Sequence, residues 1–193
     1  LIDCHNFFVS CERVFRPDLE NKPVIVLSSN DGCVIARSSE VKDLGIPMGI
    51  PIFKVRHLIK EHNIHLFSSN FPLYGNLSTR VMNVLQTFVP NMEVYSVDEA
   101  FLDCRGLQEN LEDFSKRIQT TVKQWIGIPV GVGIAPTKTL AKVATYFVKK
   151  RRFDSCILHN PKDIEEALSQ TPIEEVWGVG RKSAQKLKMR GIY

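Results

Sequence analysis

The sequence has no Cys-x-x-Cys pair, no basic leader followed by an apolar stretch, and no apolar run approaching the ~18 residues that a membrane-spanning helix needs. These absences argue against a zinc ribbon, a bilayer anchor and an export signal, and predict a soluble, non-exported protein without a membrane partner. The five cysteines (4, 11, 33, 104 and 156) are odd in number, which fits a reducing compartment better than a disulfide framework. His62 and His65 could share a helix face, but no cysteine or third histidine is placed with them, so imidazole-based metal binding is not expected. What the 193 residues do have is a 44% hydrophobic composition, enough to bury one good core or two small ones. The chain opens in an apolar strand at Leu1 rather than at a methionine and stops abruptly at Met189-Arg190-Gly191-Ile192-Tyr193, so it reads as a fragment of something longer.

The net charge of +4 is distributed unevenly. Residues 1–137 carry 13 basic against 15 acidic side chains, and 154–176 carry one against six. Residues 138–153 carry six basic side chains and 177–193 carry five, with no acid in either stretch. Two acid-free basic stretches suit a polyanion, because each neutralised phosphate releases condensed counterions. Two solvated helix faces would give the same pattern.

Periodicity supplies the organisation. LIDCH is a short apolar strand, and Asn6 is placed to cap a helix running through Val14. Residues 23–37 are two β-branched runs around Asn30-Asp31-Gly32, a strong hairpin signal. SSEVKDLG predicts a short helix with Gly45 at its C-terminal cap. Helical spacing recurs from Leu73 to Phe88 and over 109–126, EVYSV and AFLDC are strands flanking Asp98-Glu99, PVGVGIA is a strand, and 137–150 is a basic helix. The segment IEEVWGVGRKSAQKLKMRGI predicts two short helices about a Gly-x-Gly turn.

With residues 15–90 set aside, the order is strand, helix, strand, strand, helix, strand. That is the split βαβ, ferredoxin-like pattern of an α+β fold, with 15–90 as an inserted lobe. Its first and third strands are antiparallel neighbours, so Asp3 should lie beside Asp98 and Glu99. Three carboxylates there would repel by roughly 4 kcal/mol per pair at ~4 Å and an effective dielectric near 20, so a cation is required. Among these motifs only His5 could serve, and poorly. Hard oxygen donors without thiolate or imidazole favour Mg²⁺ bound together with substrate phosphates, which implies a two-metal phosphoryl-transfer site. The competing reading is that Asp98-Glu99 is an ordinary hairpin turn, but Glu is a poor turn residue and Asp3 interrupts an otherwise apolar strand.

The stretches LIDCHNFF at the start and YSVDEAF at 95–101 resemble the catalytic motifs of Y-family translesion DNA polymerases. SSNDGCVIARSSEVKDLGIPMGIP (28–51) is similar to the fingers of the bacterial UmuC branch, and GVGIAPTKTLAKVA (131–144) and VWGVGRKSAQKL (176–187) extend the likeness in order along the whole chain. The resemblance implies a DNA-directed DNA polymerase of DNA repair and the SOS response, joining dNTPs to a primer opposite damaged template with two Mg²⁺ ions. It implies a palm formed by 1–14 and 91–152, fingers over 15–90, and the beginning of a helix-hairpin-helix thumb over 153–193. The little-finger domain of the family is absent, which predicts a weak grip on DNA. The implied location is the bacterial cytoplasm at the nucleoid. The implied partners are primer-template DNA, dNTP, a UmuD-like accessory protein, a recombinase filament and the sliding clamp.

Position by position, the resemblance makes Asp3, Asp98 and Glu99 the catalytic metal ligands, with the Cys4 main-chain carbonyl as a further ligand. Phe8 matches the steric gate whose flat apolar ring excludes a ribose 2′-hydroxyl, with Phe7 beside it at the nucleotide. Ile35 and Ala36 match residues that cover the nascent base pair. Ser39 and Lys42 match triphosphate contacts where other family members carry Tyr and Arg. Lys149 matches a lysine that reaches the triphosphate, and Lys142, seven residues earlier on the same helix face, is expected at DNA. Gly178, Gly180, Arg181 and Lys182 resemble a hairpin whose backbone amides and following helix N-terminus hold a DNA phosphate. Two alternatives remain open: a palm-fold nucleotide cyclase, whose GGDEF-type turn differs from YSVDEAF, and a non-catalytic DNA-binding module.

Overall fold

The computed structural model describes residues 1–30, 32–151 and 153–193. Asp31, at the tip of the expected hairpin, and Arg152, in the basic run, lie outside the described residues. In chain order the first elements are β1 (Ile2–Cys4), α1 (Phe7–Phe15), β2 (Val24–Leu27), β3 (Val34–Arg37), α2 (Ser39–Asp43), α3 (Arg56–Glu61), β4 (His65–Ser68) and α4 (Phe71–Gln86). They are followed by β5 (Met92–Val94), β6 (Glu99–Leu102), α5 (Leu111–Ile126), β7 (Val130–Ile134), α6 (Lys138–Arg151), β8 (Ser155–Ile157), α7 (Pro161–Ser169) and α8 (Arg181–Lys188). Among the described residues no helix is long and apolar enough to cross a membrane.

Two compact units result. The first comprises Leu1–Asp3, Val84–Thr121 and Val130–Tyr193; the second comprises Cys4–Asn83 and Val122–Pro129. The first is built on a sheet of order β5-β6-β1-β7-β8, whose first four members reproduce the ferredoxin-like order, with β1 antiparallel to β6. The fifth strand, β8, is parallel to β7 and was not expected from the sequence. The chain therefore stays in the sheet to Ile157, past residue 153 where the thumb was expected to begin. A three-residue strand carries too little periodicity to be seen, and only the β7-α6-β8 crossover makes it form. Gly133 shows how closely that crossover packs. A Cβ there would stand 2.7 Å from the Ala141 carbonyl oxygen and 2.8 Å from the Thr145 amide nitrogen.

The second unit holds the sheet β3-β2-β4, with β2 antiparallel to β3 and parallel to β4. Its core gathers Ile25, Leu27, Val34, Val41, Ile46, Ile52, Val55 and Ile64. The β2-β3 connection spans residues 28–33 and the pairing carries an irregularity at Val26/Leu27, so the link is longer than the tight turn that Asn30-Asp31-Gly32 suggested.

Three further sequence expectations need correction. Asn6 does not cap α1 through its side chain; its backbone is left-handed (φ 46°). Its amide instead spans to α2, donating from Nδ2 to Ser39 Oγ at 3.2 Å and accepting from Lys42 Nζ at 2.5 Å. The strands around Asp98 are separated by residues 95–98, and Glu99 is already the first residue of β6. The first of the two helices expected about Gly178 is only a 3₁₀ turn at Ile173–Glu175, because Pro172 and Gly178, the latter at φ 89°, leave no room for more. The preceding helix is α7, capped by the Asn160 side chain, which accepts from the Asp163 amide at 2.9 Å.

Candidate active site

The site grows from the pairing of the two central strands. Asp3 of β1 stands opposite Glu99 of β6 in the antiparallel register. Asp3 is 3% exposed, although the strand around it is apolar. Its Oδ2 is buried without a hydrogen-bond donor in good geometry, and the Lys149 ammonium approaches it at 2.6 Å. Glu99 receives the Lys142 ammonium on both oxygens, at 2.8 and 2.9 Å. The cation demanded by the sequence argument is thus present: α6 supplies two lysines, seven residues apart on one face, one to each carboxylate.

Electrostatics follow from burial and these neighbours. Burial pushes the Asp3 carboxyl up to about 7 against the pull of Lys149, with Glu99 adding to the rise. Burial acts on Glu99 in the same direction but is outweighed by the hydrogen bond from Asp3 and by Lys142, so Glu99 lies below its ordinary value. The two acids are thus driven apart, Asp3 towards its protonated form and Glu99 towards its ionised form. The Lys149 ammonium is held above its usual value: burial opposes this, while Asp3, Glu99 and Asp98 favour it.

Asp98 is half-buried in the turn before β6, and its Oδ1 accepts from Ser96 Oγ at 2.6 Å. It adds to the field on Lys149 but is turned into its own turn. Among the described residues no three His, Cys, Asp or Glu side chains are grouped so as to hold a metal ion. The expected convergence of three carboxylates is therefore realised as a facing pair plus a neighbour, with ammonium groups in the positions that repulsion requires to be cationic. The donors nonetheless fit a hard divalent ion: a buried carboxylate oxygen met only by an ammonium, a second carboxylate facing it and no soft ligand at the pair. Cys4 ends β1 with its side chain buried. At the opposite end of the same sheet a cleft of about 760 Å³ is lined by Phe101, Leu102, Ala135, Lys138 and His159, away from the carboxylates.

Lys142, expected to face DNA, turns inward. Its side chain is 15% exposed, its ammonium grips Glu99, and it sits 4.3 Å from the centroid of the Tyr95 ring. The signal available in the sequence was the i, i+7 spacing on an acid-free helix that follows the strand next to β1. Arg181 and Lys182 are exposed at the start of α8, and Gly180 occupies the cap position before it in extended conformation.

The second unit carries the expected nucleotide-side residues. Phe7 is buried and Phe8 half-buried on α1. The Phe8 ring stacks on Tyr74 of α4 at 4.4 Å with planes 15° apart and meets Phe71 edge-on at 6.0 Å. Tyr74 is itself fixed by donating its hydroxyl to Glu12 Oε1 at 2.7 Å, one turn along α1 from Phe8. Tyr74 falls on the apolar spacing of α4 with Leu77 and Val81, so by sequence it reads as a core residue rather than as a support for Phe8. Ile35 and Ala36 are half-buried on β3, and Ser39 and Lys42 are exposed on α2.

The chain is similar to proteins of known sequence and structure. Salmonella typhimurium ImpB is 50% identical over 198 residues and UmuC from the same species is 48% identical over 197, each alignment covering 100% of this chain and 47% of the relative. The chain thus spans about half the length of the curated relatives it matches. Among solved structures, DinB from Sulfolobus solfataricus superposes with a TM-score of 0.82 at 29% identity, covering 99% of this chain and 56% of that one. An insertion ternary complex of Dbh DNA polymerase reaches 0.86 at 29% identity, covering 99% and 57%. The fold is therefore the palm-like fold of Y-family polymerases with a helix-hairpin-helix segment, and the family model for the latter, the IMS family HHH motif, matches residues 161–192. With residues 2–146 matched by the model described as the impB/mucB/samB family, and with the facing carboxylates lying inside that stretch, the chain belongs to the impB/mucB/samB family.

Proposed function

We propose that this chain is the catalytic part of a translesion DNA polymerase, transferring a nucleotidyl group from a dNTP to a primer 3′-hydroxyl opposite damaged template. The observation that carries this reading is the buried Asp3 facing the partly buried Glu99 on adjacent strands, with Asp98 next in the chain and two lysines of α6 holding the charge. A buried carboxylate facing a partly buried one at a sheet end, each met by an ammonium group, is poised to exchange those cations for a metal.

Asp3, Asp98, Glu99 and the Cys4 main-chain carbonyl would hold two Mg²⁺ ions. Bound there, the ions supply acidity to the attacking hydroxyl and charge neutralisation to the triphosphate. The chain's own residues do the rest. Lys149, half-exposed beside Asp3, is able to swing to the triphosphate when the carboxylate finds another cation. Ser39 and Lys42, already tied to Asn6, present a hydroxyl and an ammonium to phosphate oxygens. Phe8, held by Tyr74, blocks a 2′-hydroxyl, while Phe7 supports it from the helix interior. Ile35 and Ala36 offer small apolar surface to the nascent base pair. Gly178, Gly180, Arg181 and Lys182 would seat a phosphate of the primer-template duplex. The five-stranded sheet would be the palm, the three-stranded sheet the fingers, and the segment after β8 the start of the thumb. Accessory contacts with a UmuD-like protein, a recombinase filament and a sliding clamp belong to the same reading, as do residence in the bacterial cytoplasm at the nucleoid and a role in the SOS response.

Primer extension across a lesion-bearing template tests it. Asp98→Ala and Glu99→Ala should each reduce extension about a thousandfold or more, since catalysis of phosphoryl transfer rests mainly on charge stabilisation at the reacting phosphate. Undiminished extension by both variants would remove the carboxylates from the chemistry. Formation of a cyclic nucleotide instead of an extended primer would favour the cyclase alternative.

A further inference from the structure

The carboxylate pair is linked to the helix-hairpin-helix segment through one aromatic cluster. Trp177 immediately precedes the left-handed Gly178 and lies four residues before the start of α8. Its indole N–H donates to the Tyr95 hydroxyl at 3.1 Å. Its ring meets the Tyr95 ring edge-on at 5.6 Å and the Phe101 ring at 6.0 Å with planes 40° apart. Tyr95 and Phe101 in turn touch each other at 5.7 Å. Those two residues bracket Asp98 and Glu99. The Lys142 ammonium, which grips Glu99, is itself seated on these rings, at 4.3 Å from Tyr95 and 5.9 Å from Phe101, and Lys138 stands 5.1 Å from Phe101.

We propose that Trp177 is a positioning residue that locks the helix-hairpin-helix segment onto the hairpin carrying Asp98 and Glu99 and keeps Lys142 seated against Glu99 through the Tyr95 ring. The inference rests on the polymerase reading above and adds to it a residue that touches neither nucleotide nor metal. Two observations separate it from ordinary packing. Trp177 remains 40% exposed, so burying its ring is not what holds it there. Its polar atom is spent on Tyr95, a residue 82 positions away whose ring carries the cation of the site. An indole, edge-on to one ring and hydrogen-bonded to its hydroxyl, fixes both the distance and the orientation of the two segments. If the hairpin seats a DNA phosphate, that distance sets where the primer end lies relative to the carboxylates, and a small misplacement is costly in rate.

Single-nucleotide addition kinetics on the intact protein, together with indole fluorescence, test this. Trp177→Ala should lower kcat about tenfold while KM for dNTP stays within about twofold, because the triphosphate contacts lie elsewhere. Trp177→Phe, which keeps a ring in place, should recover most of the loss. Trp177→Leu, which keeps apolar bulk but can neither stack nor donate, guards against loss of the fold and should behave as Ala does. In a Trp125→Phe background, so that Trp177 is the sole indole among these residues, Tyr95→Ala should raise acrylamide quenching about twofold by releasing the ring. Wild-type kcat in the Ala or Leu variant, in a protein that Asp98→Ala inactivates, overturns the positioning role and leaves the polymerase reading standing. Extension that survives Asp98→Ala and Glu99→Ala overturns the polymerase reading instead.

Discussion

At the residue scale the buried acid Asp3 makes the protein sensitive to pH. Its folded-state pKa, about 7, lies above the ordinary 3.8, so the protonated form favours folding. That contribution is complete below about pH 4 and is lost as pH rises through about 7. In chelator, thermal stability should therefore fall across that window, and Asp3→Asn should flatten the fall and stabilise the protein by about 1–3 kcal/mol at pH 8. An unchanged pH profile in Asp3→Asn would place the dependence on another group. Phe8 makes a second prediction. Because Tyr74 holds its ring by stacking, Phe8→Ala should raise ribonucleotide incorporation relative to deoxyribonucleotide by about tenfold or more in a primer-extension competition. An unchanged ratio would assign sugar selection to another side chain. The acidic residues were legible in the sequence because a charge in an apolar strand has few structural uses. Lys142 and Tyr74 were not, since a lysine on a basic helix and a tyrosine on an amphipathic one look like surface and core until the partner elements are known.

At the scale of elements, the close approach of α6 to β7 is what brings both lysines to the carboxylates. Gly133→Ala would drive a methyl group into the backbone of α6 at Ala141 and Thr145, where no flexible side chain can yield. We expect a loss of about 2–3 kcal/mol in urea unfolding, with the β7-α6 spacing widened. A Gly133→Ala variant as stable as wild type would mean that α6 can retreat without cost. The long helices α4 and α5 were readable from their spacing, and β1, β6 and β7 from their apolar runs. The short pieces β4, β8 and α3 were not, because three to six residues give no period, and tertiary pairing decides them. Asn6 was misread for a related reason. An asparagine before a helix usually caps it, but here its amide finds better partners on α2.

For the molecule as a whole, the two acid-free basic stretches are only partly available to a polyanion. Lys138, Lys142, Lys149 and Lys188 are committed to Glu93, Glu99, Asp3 and Glu174. Binding to duplex DNA should therefore show a log–log salt slope of about −6, short of the about −10 that all eleven basic residues would give, and Arg181→Glu with Lys182→Glu should reduce it by about 2 units. A slope unaffected by that double change would move the duplex off the hairpin. The overall order of strands was legible because right-handed, unknotted connections leave few ways to close the sheet, whereas the ion pairs that silence part of the charge could be seen only in three dimensions.

The position of β1 has a consequence for biosynthesis. This three-residue strand lies at the centre of its sheet, yet its neighbours are made near residues 100 and 133. This segment must wait, unpaired and apolar, until residues 99–134 have been made, so the carboxylate pair assembles only after a long stretch of chain has followed it.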